Sequence, residues 1–305
     1  MQRRYLLRSM VTTAVAAASC STTAAATKER RGSLDKSAST IVSRDGTNLF
    51  YREWGIGKPV LFIAGWGLAS DMWNYQMAPL SERGLRCIAY DRRGHGRSSD
   101  PGRGFDYDTL SDDLAGVLEA LDLREVTLVS HSMGGGEVIR YLTRHGRSRI
   151  ARIALVATSA TPYLQKSADN PDGLDGKIFE HVRNVLLHDF PKWMEDNARP
   201  FVVKETSEQM IEWIKGIMLR TSMKALLECY RTDTSTDFRA ELPRVRVPTL
   251  VIHGDKDVSA PIGLTGRKTS AMIPGARLKV YEGAPHGLFI THIDRLNTDL
   301  LAFVS

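Results

Sequence analysis

The feature that most constrains the fold is a series of six short apolar runs separated by helical patterns. Runs of this length that are rich in β-branched residues and contain few polar residues are typical of strands buried on both faces of a sheet. The runs are P-V-L-F-I-A (59–64), L-R-C-I-A-Y (85–90), E-V-T-L-V (125–129), I-A-R-I-A-L-V-A (150–157), P-T-L-V-I-H (248–253) and A-R-L-K-V-Y (276–281). Strands that alternate with helices form right-handed crossovers and a mostly parallel sheet with helices on both faces.

An antiparallel hairpin is expected before this series. Residues 41–54 alternate in polarity around Asp45-Gly46, which is a turn signal. Its two strands and the six later runs together predict an eight-stranded sheet.

Residues 158–240 interrupt the alternation of strands and helices. They contain aromatic and methionine residues but no strand pattern, and three helical patterns, at 178–188, 209–219 and 223–230. We therefore predict an α/β core over residues 41–157 and 241–305 and a helical cap over 158–240. Such a cap would supply apolar walls to a pocket at the strand ends.

A candidate nucleophile lies in L-V-S-H-S-M-G-G-G (128–136), where a strand is followed by a tight turn and a helix. This resembles the pattern G-x-S-x-G, with Ser130 in the first position and Ser132 as the exposed serine. At such a turn the N–H of the next residue, Met133, points to where an oxyanion would form. Glycine-rich turns also begin nucleotide sites, but this one has neither G-K-[ST] nor G-x-G-x-x-G.

A serine nucleophile needs a base, and His286 is the best candidate among the eight histidines. It lies in a Pro/Gly loop just after the last predicted strand, where chemistry is more common than packing. His253 ends a strand, which favours a neutral ring bonded to backbone, and His131 is expected to face away from Ser132. The remaining histidines lie at loop, helix or surface positions: His95, His145, His181, His188 and His292.

The orienting acid is either Asp255 or Asp257, in H-G-D-K-D-V-S-A-P. Both follow a strand, so either carboxylate could reach the imidazole. The spacing D-x-x-x-P, ending at Pro261, favours Asp257, and Asp255 would then cap backbone amides in the loop. The resulting order of serine, acid and histidine is the one expected for a nucleophile on a strand-to-helix turn.

Four motifs together resemble those of the α/β-hydrolases, over residues 41–305. They are S-H-S-M-G-G-G-E, D-R-R-G-H-G-R-S, H-G-D-K-D and Y-E-G-A-P-H-G-L-F, and they are most similar to the cofactor-free haloperoxidase (perhydrolase) and aryl esterase branch. The resemblance implies a second oxyanion donor, the Trp66 N–H. The family usually has His-Gly-Trp at this place, whereas this chain has Ala64-Gly65-Trp66.

The resemblance implies a serine hydrolase that acts on small carboxylic esters through an acyl-enzyme. Hydrogen peroxide in place of water would give a peracid, with no haem, vanadium or flavin, for which the sequence offers no ligands. A lactonase or a carbon–carbon bond hydrolase using the same three residues is an alternative. A hydrolase fold retained as a ligand-binding module is a further, non-enzymatic alternative.

The start of the chain predicts export. Residues 1–26 have a basic beginning, an apolar stretch and small residues at a cleavage site, and are too short and polar to span a membrane. Arg3-Arg4 resembles a twin-arginine signal, which favours a periplasmic or secreted product. A-A-S-C, ending at Cys20, resembles a permissive lipoprotein box and is an alternative. Residues 27–40 are predicted to be a linker.

Charge and cysteine content exclude other classes of protein. The formal net charge is +6, but Arg3, Arg4 and Arg8 carry half of it, and no basic stripe with aromatic residues predicts nucleic-acid binding. Cys87 and Cys229 are expected to be buried thiols. There is no C-x-x-C motif and no His/Cys cluster of the kind that holds a metal.

Overall fold

A computed structural model describes residues 39–159 and 164–305. The export signal predicted over 1–26, including Cys20, lies outside the described residues, as does the linker up to residue 38. Eight strands are present, namely β1 (Thr40–Val42), β2 (Asn48–Trp54), β3 (Lys58–Ile63), β4 (Leu85–Tyr90), β5 (Val126–His131), β6 (Ile150–Val156), β7 (Thr249–Gly254) and β8 (Arg277–Tyr281).

Nine α-helices occur in the described residues, together with short 3₁₀ turns at Ser70–Trp73 and Leu242–Arg244. The helices are α1 (Asn74–Glu82), α2 (Tyr107–Ala120), α3 (Gly134–Arg144), α4 (Gly176–Ala198), α5 (Glu208–Met218), α6 (Met223–Ser235), α7 (Gly266–Met272), α8 (Leu288–Thr291) and α9 (Ile293–Val304). Within residues 39–159 and 164–305, no helix has the length and apolarity needed to cross a membrane.

The strands form one sheet in the order β1-β2-β4-β3-β5-β6-β7-β8. The hairpin predicted around Asp45-Gly46 lies at one edge, where β1 and β2 pair antiparallel and Ile41 faces Leu49. β2 is also antiparallel to β4, and every later pair in the sheet is parallel. The prediction of an eight-stranded, mostly parallel sheet is therefore confirmed.

Alternate residues of the central strands bury opposite faces of the sheet. Leu128 and Ile153 belong to the apolar cluster that includes α2 and α3, whereas Val129 and Ala154 belong to the cluster that includes α1 and α9. All four side chains are fully buried. Burial on both faces explains why β5 and β6 are continuous apolar runs rather than alternating ones.

The start of α2 differs from the sequence prediction. The apolar periodicity predicts a helix from about residue 110, but α2 begins at Tyr107 because the Asp106 carboxylate accepts a 2.9 Å hydrogen bond from the Thr109 N–H. This bond satisfies one of the free N–H groups of the first turn. Two of the three added residues, Asp108 and Thr109, are polar, so apolar periodicity alone did not reveal this turn.

Three helices, α4, α5 and α6, lie between β6 and β7. Each begins with a side-chain cap, supplied by Asp175, Ser207 and Ser222 respectively. α4 is kinked at Asp189, two residues before Pro191, and the Asp189 carboxylate accepts from the Lys192 N–H as a new helix cap would. The three helical patterns predicted at 178–188, 209–219 and 223–230 correspond to α4, α5 and α6 respectively.

The two cysteines of the described residues are buried and form no disulfide. Cys87 lies on β4 and Cys229 on α6. Burial raises the pKa of each thiol to about 12, so both remain protonated at neutral pH.

Candidate active site

The candidate nucleophile, Ser132, occupies the sharp turn between β5 and α3. Its φ is 51°, a left-handed backbone conformation that residues other than glycine rarely adopt. The Ser132 N–H donates a 3.0 Å hydrogen bond to the Val156 carbonyl at the end of the neighbouring strand, which fixes the turn to the sheet. Backbone strain of this kind is concentrated at functional sites. The Ser132 side chain lines a cavity.

Glycines after Ser132 allow α3 to approach its neighbours closely. A Cβ on Gly134 would lie 2.8 Å from the Ala64 carbonyl oxygen, and a Cβ on Gly136 would lie 2.3 Å from the Tyr107 ring. Ser130, which stands where the motif usually has glycine, lies within β5, and its buried Oγ has no hydrogen-bond partner there. The strand therefore has room for the serine at position 130, at the cost of an unsatisfied hydroxyl that is typically about 1–3 kcal/mol.

The three side chains selected from the sequence lie in one hydrogen-bonded row. His286 Nε2 is 3.0 Å from Ser132 Oγ, across a separation of 154 residues in sequence. His286 Nδ1 is 2.7 Å from Asp257 Oδ2. When the Nδ1–H donates to the carboxylate, Nε2 is left as an acceptor for the serine hydroxyl. This is the geometry that a nucleophile, a base and an orienting acid require.

The surroundings of Asp257 keep it ionised. Its Oδ1 accepts hydrogen bonds from the N–H groups of Ser259 (2.9 Å) and Ala260 (2.7 Å). Burial acts to raise the pKa of Asp257, but the interactions with His286 and His253 outweigh it and hold the pKa below its usual range. The carboxylate is therefore charged at neutral pH.

Asp255, the alternative acid, has a different place. It is exposed, and its Oδ1 accepts a 2.7 Å hydrogen bond from the Gly283 N–H in the loop before His286. This is the backbone capping that the spacing of the motif favours for Asp255. Of the two aspartates, the structure brings Asp257 to the imidazole.

Two further histidines contact this row. His253 Nε2 lies 2.8 Å from the Ala260 carbonyl oxygen, as its position predicts, but it also lies 3.2 Å from Asp257 Oδ2, which sequence reasoning missed. His131 Nε2 lies 3.0 Å from the His286 carbonyl oxygen. Burial, followed by the charge of His286, lowers the pKa of His131 to about 3, so its ring stays neutral and packs against the candidate base.

The two backbone amides selected from the sequence, those of Trp66 and Met133, have no hydrogen-bond acceptor among the described residues. Gly65 allows the loop that carries Trp66 to lie against the nucleophile, since a Cβ at position 65 would lie 3.3 Å from Ser132 Cβ and 2.6 Å from His131 Nδ1. Met133 directly precedes α3, where N–H groups are free and the helix dipole favours negative charge.

A buried ion pair supports the loop that carries Trp66. Arg92 donates to the carbonyl oxygens of Ala64 (2.7 Å) and Gly65 (3.1 Å), and also to Glu137 Oε1 (2.6 Å). Tyr90 donates to the other carboxylate oxygen of Glu137 (2.7 Å). Burial raises the pKa of Glu137, and the charge of Arg92 opposes that rise. Sequence reasoning missed both charged residues, although each lies within a quoted motif.

A cavity of about 530 Å³ lies above Ser132 and His286. Its walls are mostly apolar and come largely from α4, α5 and α6, including Phe179, Val182, Trp193, Met194, Ile214 and Met218. Trp213, on α5, does not line this cavity and packs against Tyr75. In the part of the chain that the structure describes, no group of three or more His, Cys, Asp or Glu residues could hold a metal ion.

The sequence matches the model of one protein family, the alpha/beta hydrolase fold, over residues 58–293. The chain belongs to this family, and the hydrolase class it defines agrees with the Ser–His–Asp geometry.

Among curated relatives, a non-heme chloroperoxidase, CPO-A1 from Kitasatospora aureofaciens, is 42% identical over 271 residues, covering 87% of this chain and 98% of that protein. A bifunctional esterase/perhydrolase, DCH from Acinetobacter calcoaceticus, is 34% identical over 273 residues with the same coverage. A solved structure of a bromoperoxidase from Bacillus anthracis is 38% identical and has a TM-score of 0.83, covering 87% of this chain and 98% of that one. The protein is a hydrolase enzyme of the branch that contains these relatives.

Replacing Glu137 with Ala should destabilise the protein by about 3–5 kcal/mol, because Arg92 would remain buried without its partner. Urea unfolding at neutral pH measures this change. Glu53→Ala is the control, since Glu53 pairs with Arg86 where both side chains are about one-third exposed, and should cost less than about 1 kcal/mol. Equal losses in the two variants would contradict the role of the buried pair.

Proposed function

We propose that this protein is a serine esterase in which Ser132 is the nucleophile, His286 the general base and Asp257 the orienting acid. The observation that carries the proposal is the hydrogen-bonded row of these three side chains at the bottom of an apolar cavity. The relatives named as chloroperoxidases and as an esterase/perhydrolase support the same reaction class.

In the first half of the reaction, Ser132 Oγ attacks the ester carbonyl carbon while His286 Nε2 takes the hydroxyl proton. The N–H groups of Trp66 and Met133 stabilise the negative charge that forms on the carbonyl oxygen. His286 then gives its proton to the leaving alcohol as the carbon–oxygen bond breaks. Asp257, held ionised, stabilises the imidazolium and keeps Nδ1–H pointing toward itself.

In the second half, a water molecule attacks the acyl-enzyme and His286 accepts its proton. The carboxylic acid leaves and Ser132 recovers its hydrogen. The cavity walls are mostly apolar, which favours small acyl groups with aryl or alkyl leaving groups.

Hydrogen peroxide can replace water in the second half. It then attacks the acyl carbon through oxygen, loses a proton to His286, and leaves as a peracid. The peracid, rather than the protein, oxidises a halide ion to hypohalous acid and becomes the carboxylic acid. The similarity to proteins named as haloperoxidases and as a perhydrolase supports this second activity.

With p-nitrophenyl acetate, the wild-type protein should release p-nitrophenolate, and Ser132→Ala should lower kcat by on the order of 10³-fold or more. Stopped-flow absorbance and intact-protein mass spectrometry measure turnover and the acetyl adduct. Ser235→Ala, an exposed serine at the end of α6, is the control and should retain full activity. Turnover that survives in Ser132→Ala would rule out the serine mechanism.

Peroxide added with an ester should produce peracid and bromide-dependent bromination of monochlorodimedone. Both should require the ester and both should be lost in Ser132→Ala, because the peracid forms from the acyl-enzyme. Bromination that continues without any acyl donor would refute the peracid route. Ester hydrolysis with no peracid at any peroxide concentration would leave an esterase without perhydrolase activity.

We infer that the protein is exported to the periplasm or secreted, on the basis of the basic, apolar and small-residue segments of residues 1–26 and of Arg3-Arg4. In a bacterial host, cell fractionation of the full chain should place it outside the cytoplasm, with a mass that shows removal of the leader. Replacing both arginines with lysine should leave precursor in the cytoplasm. A lipid adduct that disappears in Cys20→Ser would indicate the lipoprotein alternative, and uncleaved wild-type protein in the cytoplasm would contradict export.

A further inference from the structure

One carboxylate in the cavity has no part in the proposed reaction. Asp233, on α6, is half-buried and is the only aspartate or glutamate among the described residues that line the cavity. The neighbouring walls are largely apolar side chains, including Trp66, Leu174 and Tyr230. Burying a carboxylate among apolar side chains removes its hydration, which costs free energy unless other groups form hydrogen bonds or ion pairs with it.

Local hydrogen bonds hold Asp233 in one position but leave it incompletely satisfied. The Tyr107 hydroxyl (2.8 Å) and the Ser159 hydroxyl (2.9 Å) both donate to Oδ1. No described residue donates to Oδ2, and no described arginine or lysine forms an ion pair with the carboxylate. One oxygen is therefore anchored, and the other is left to accept a hydrogen bond from a molecule in the cavity.

The carboxylate is also tied to the reacting centre. Tyr107 OH, which donates to Asp233, lies 3.2 Å from the carbonyl oxygen of Met133, the residue after the nucleophile. Burial raises the pKa of Asp233, and the charge of His286 is among the influences that oppose the rise. Ser132 and Asp233 line the same cavity, so a substrate held as an ester on Ser132 lies in the space that Asp233 borders.

We propose that Asp233 forms a polar subsite that selects esters carrying a hydrogen-bond donor, an alcohol O–H or an amine N–H, on the part of the substrate that fills the cavity. This inference rests on the proposed esterase function and specifies its substrate class. The donor binds Oδ2, while Tyr107 and Ser159 keep Oδ1 fixed. An ester without the donor leaves Oδ2 desolvated and unpaired, which is the arrangement by which polar sites reject apolar analogues.

The test compares kcat/KM for three p-nitrophenyl esters, namely butyrate, 3-hydroxybutyrate and 3-aminobutyrate. In the wild-type protein, at least one donor-bearing ester should exceed butyrate by roughly 10- to 100-fold, the range expected for a hydrogen bond to a charged group. Asp233→Leu should abolish or reverse that preference. Asp233→Asn keeps its carbonyl oxygen for Tyr107 and Ser159 and places the amide NH2 where Oδ2 was. It should therefore retain a preference for the hydroxyl, which can accept from that NH2, and lose the preference for the protonated amine, which can only donate.

Asp233→Asn also protects the test against misfolding, since it retains an acceptor for Tyr107 and Ser159 that Asp233→Leu lacks. Glu228→Gln is the matched control, because Glu228 lies on the same helix, pairs with Lys224 and does not line the cavity. It should leave all three kcat/KM values and their ratios unchanged.

Two outcomes overturn the proposal and are distinct from each other. If Asp233 variants lower kcat/KM for all three esters by the same factor, or leave the ratios unchanged, Asp233 is a structural residue and the subsite is wrong. If the wild-type protein hydrolyses none of the esters, including p-nitrophenyl acetate, the esterase function itself is wrong and the subsite fails with it.

Discussion

The close approach of β5, α3 and the loop 64–66 around Ser132 is the constraint on which the rest of the site depends. Ser132 adopts a left-handed φ, and the contacts at Gly65, Gly134 and Gly136 leave no room for a Cβ. The turn is anchored to the sheet by the bond to the Val156 carbonyl. A buried parallel sheet supplies the rigidity that keeps such strain in place. The serine hydroxyl and the two free amides owe their common location to this packing.

Hydrogen bonds from a charged side chain, rather than apolar contacts, hold the loop 64–66 in place. Its carbonyl oxygens at Ala64 and Gly65 accept from Arg92, and Glu137 neutralises that arginine from the first turn of α3. Buried ion pairs contribute little net stability, but removing one partner is costly because it leaves the other charge buried and unpaired. The same pair therefore ties the helix that follows the nucleophile to the loop that carries Trp66. Alanine at position 64, where the family usually has histidine, leaves this support in place because Arg92 bonds to backbone.

The sequence was informative wherever a residue's role follows from its own segment. Strands buried on both faces are continuous apolar runs. Asp257, unlike Asp255, has the D-x-x-x-P spacing to Pro261, and its Oδ1 accepts from the N–H groups of Ser259 and Ala260 within that spacing. The roles of Arg92 and Asp233 follow from partners far away in the chain, at a separation of 45 residues for Glu137 and 126 for Tyr107. No local pattern encodes such contacts, since the segment around a charged residue is the same whether or not a distant residue pairs with it.

Helix α6 links the proposed Asp233 subsite to the loop that carries Trp66. Its Leu226 carbonyl accepts from the Trp66 indole (2.8 Å), and its Asp233 accepts from Tyr107, which reaches the Met133 carbonyl. One helix thus bonds directly to Trp66 and is linked to Met133 through Tyr107. A ligand bound to Asp233 contacts the same helix that bonds to Trp66. Substrate binding in the cavity and the position of the Trp66 loop therefore both depend on α6. Since α6 carries none of Ser132, His286 and Asp257, a change in this helix can alter the substrate preference while the Ser–His–Asp row stays unchanged.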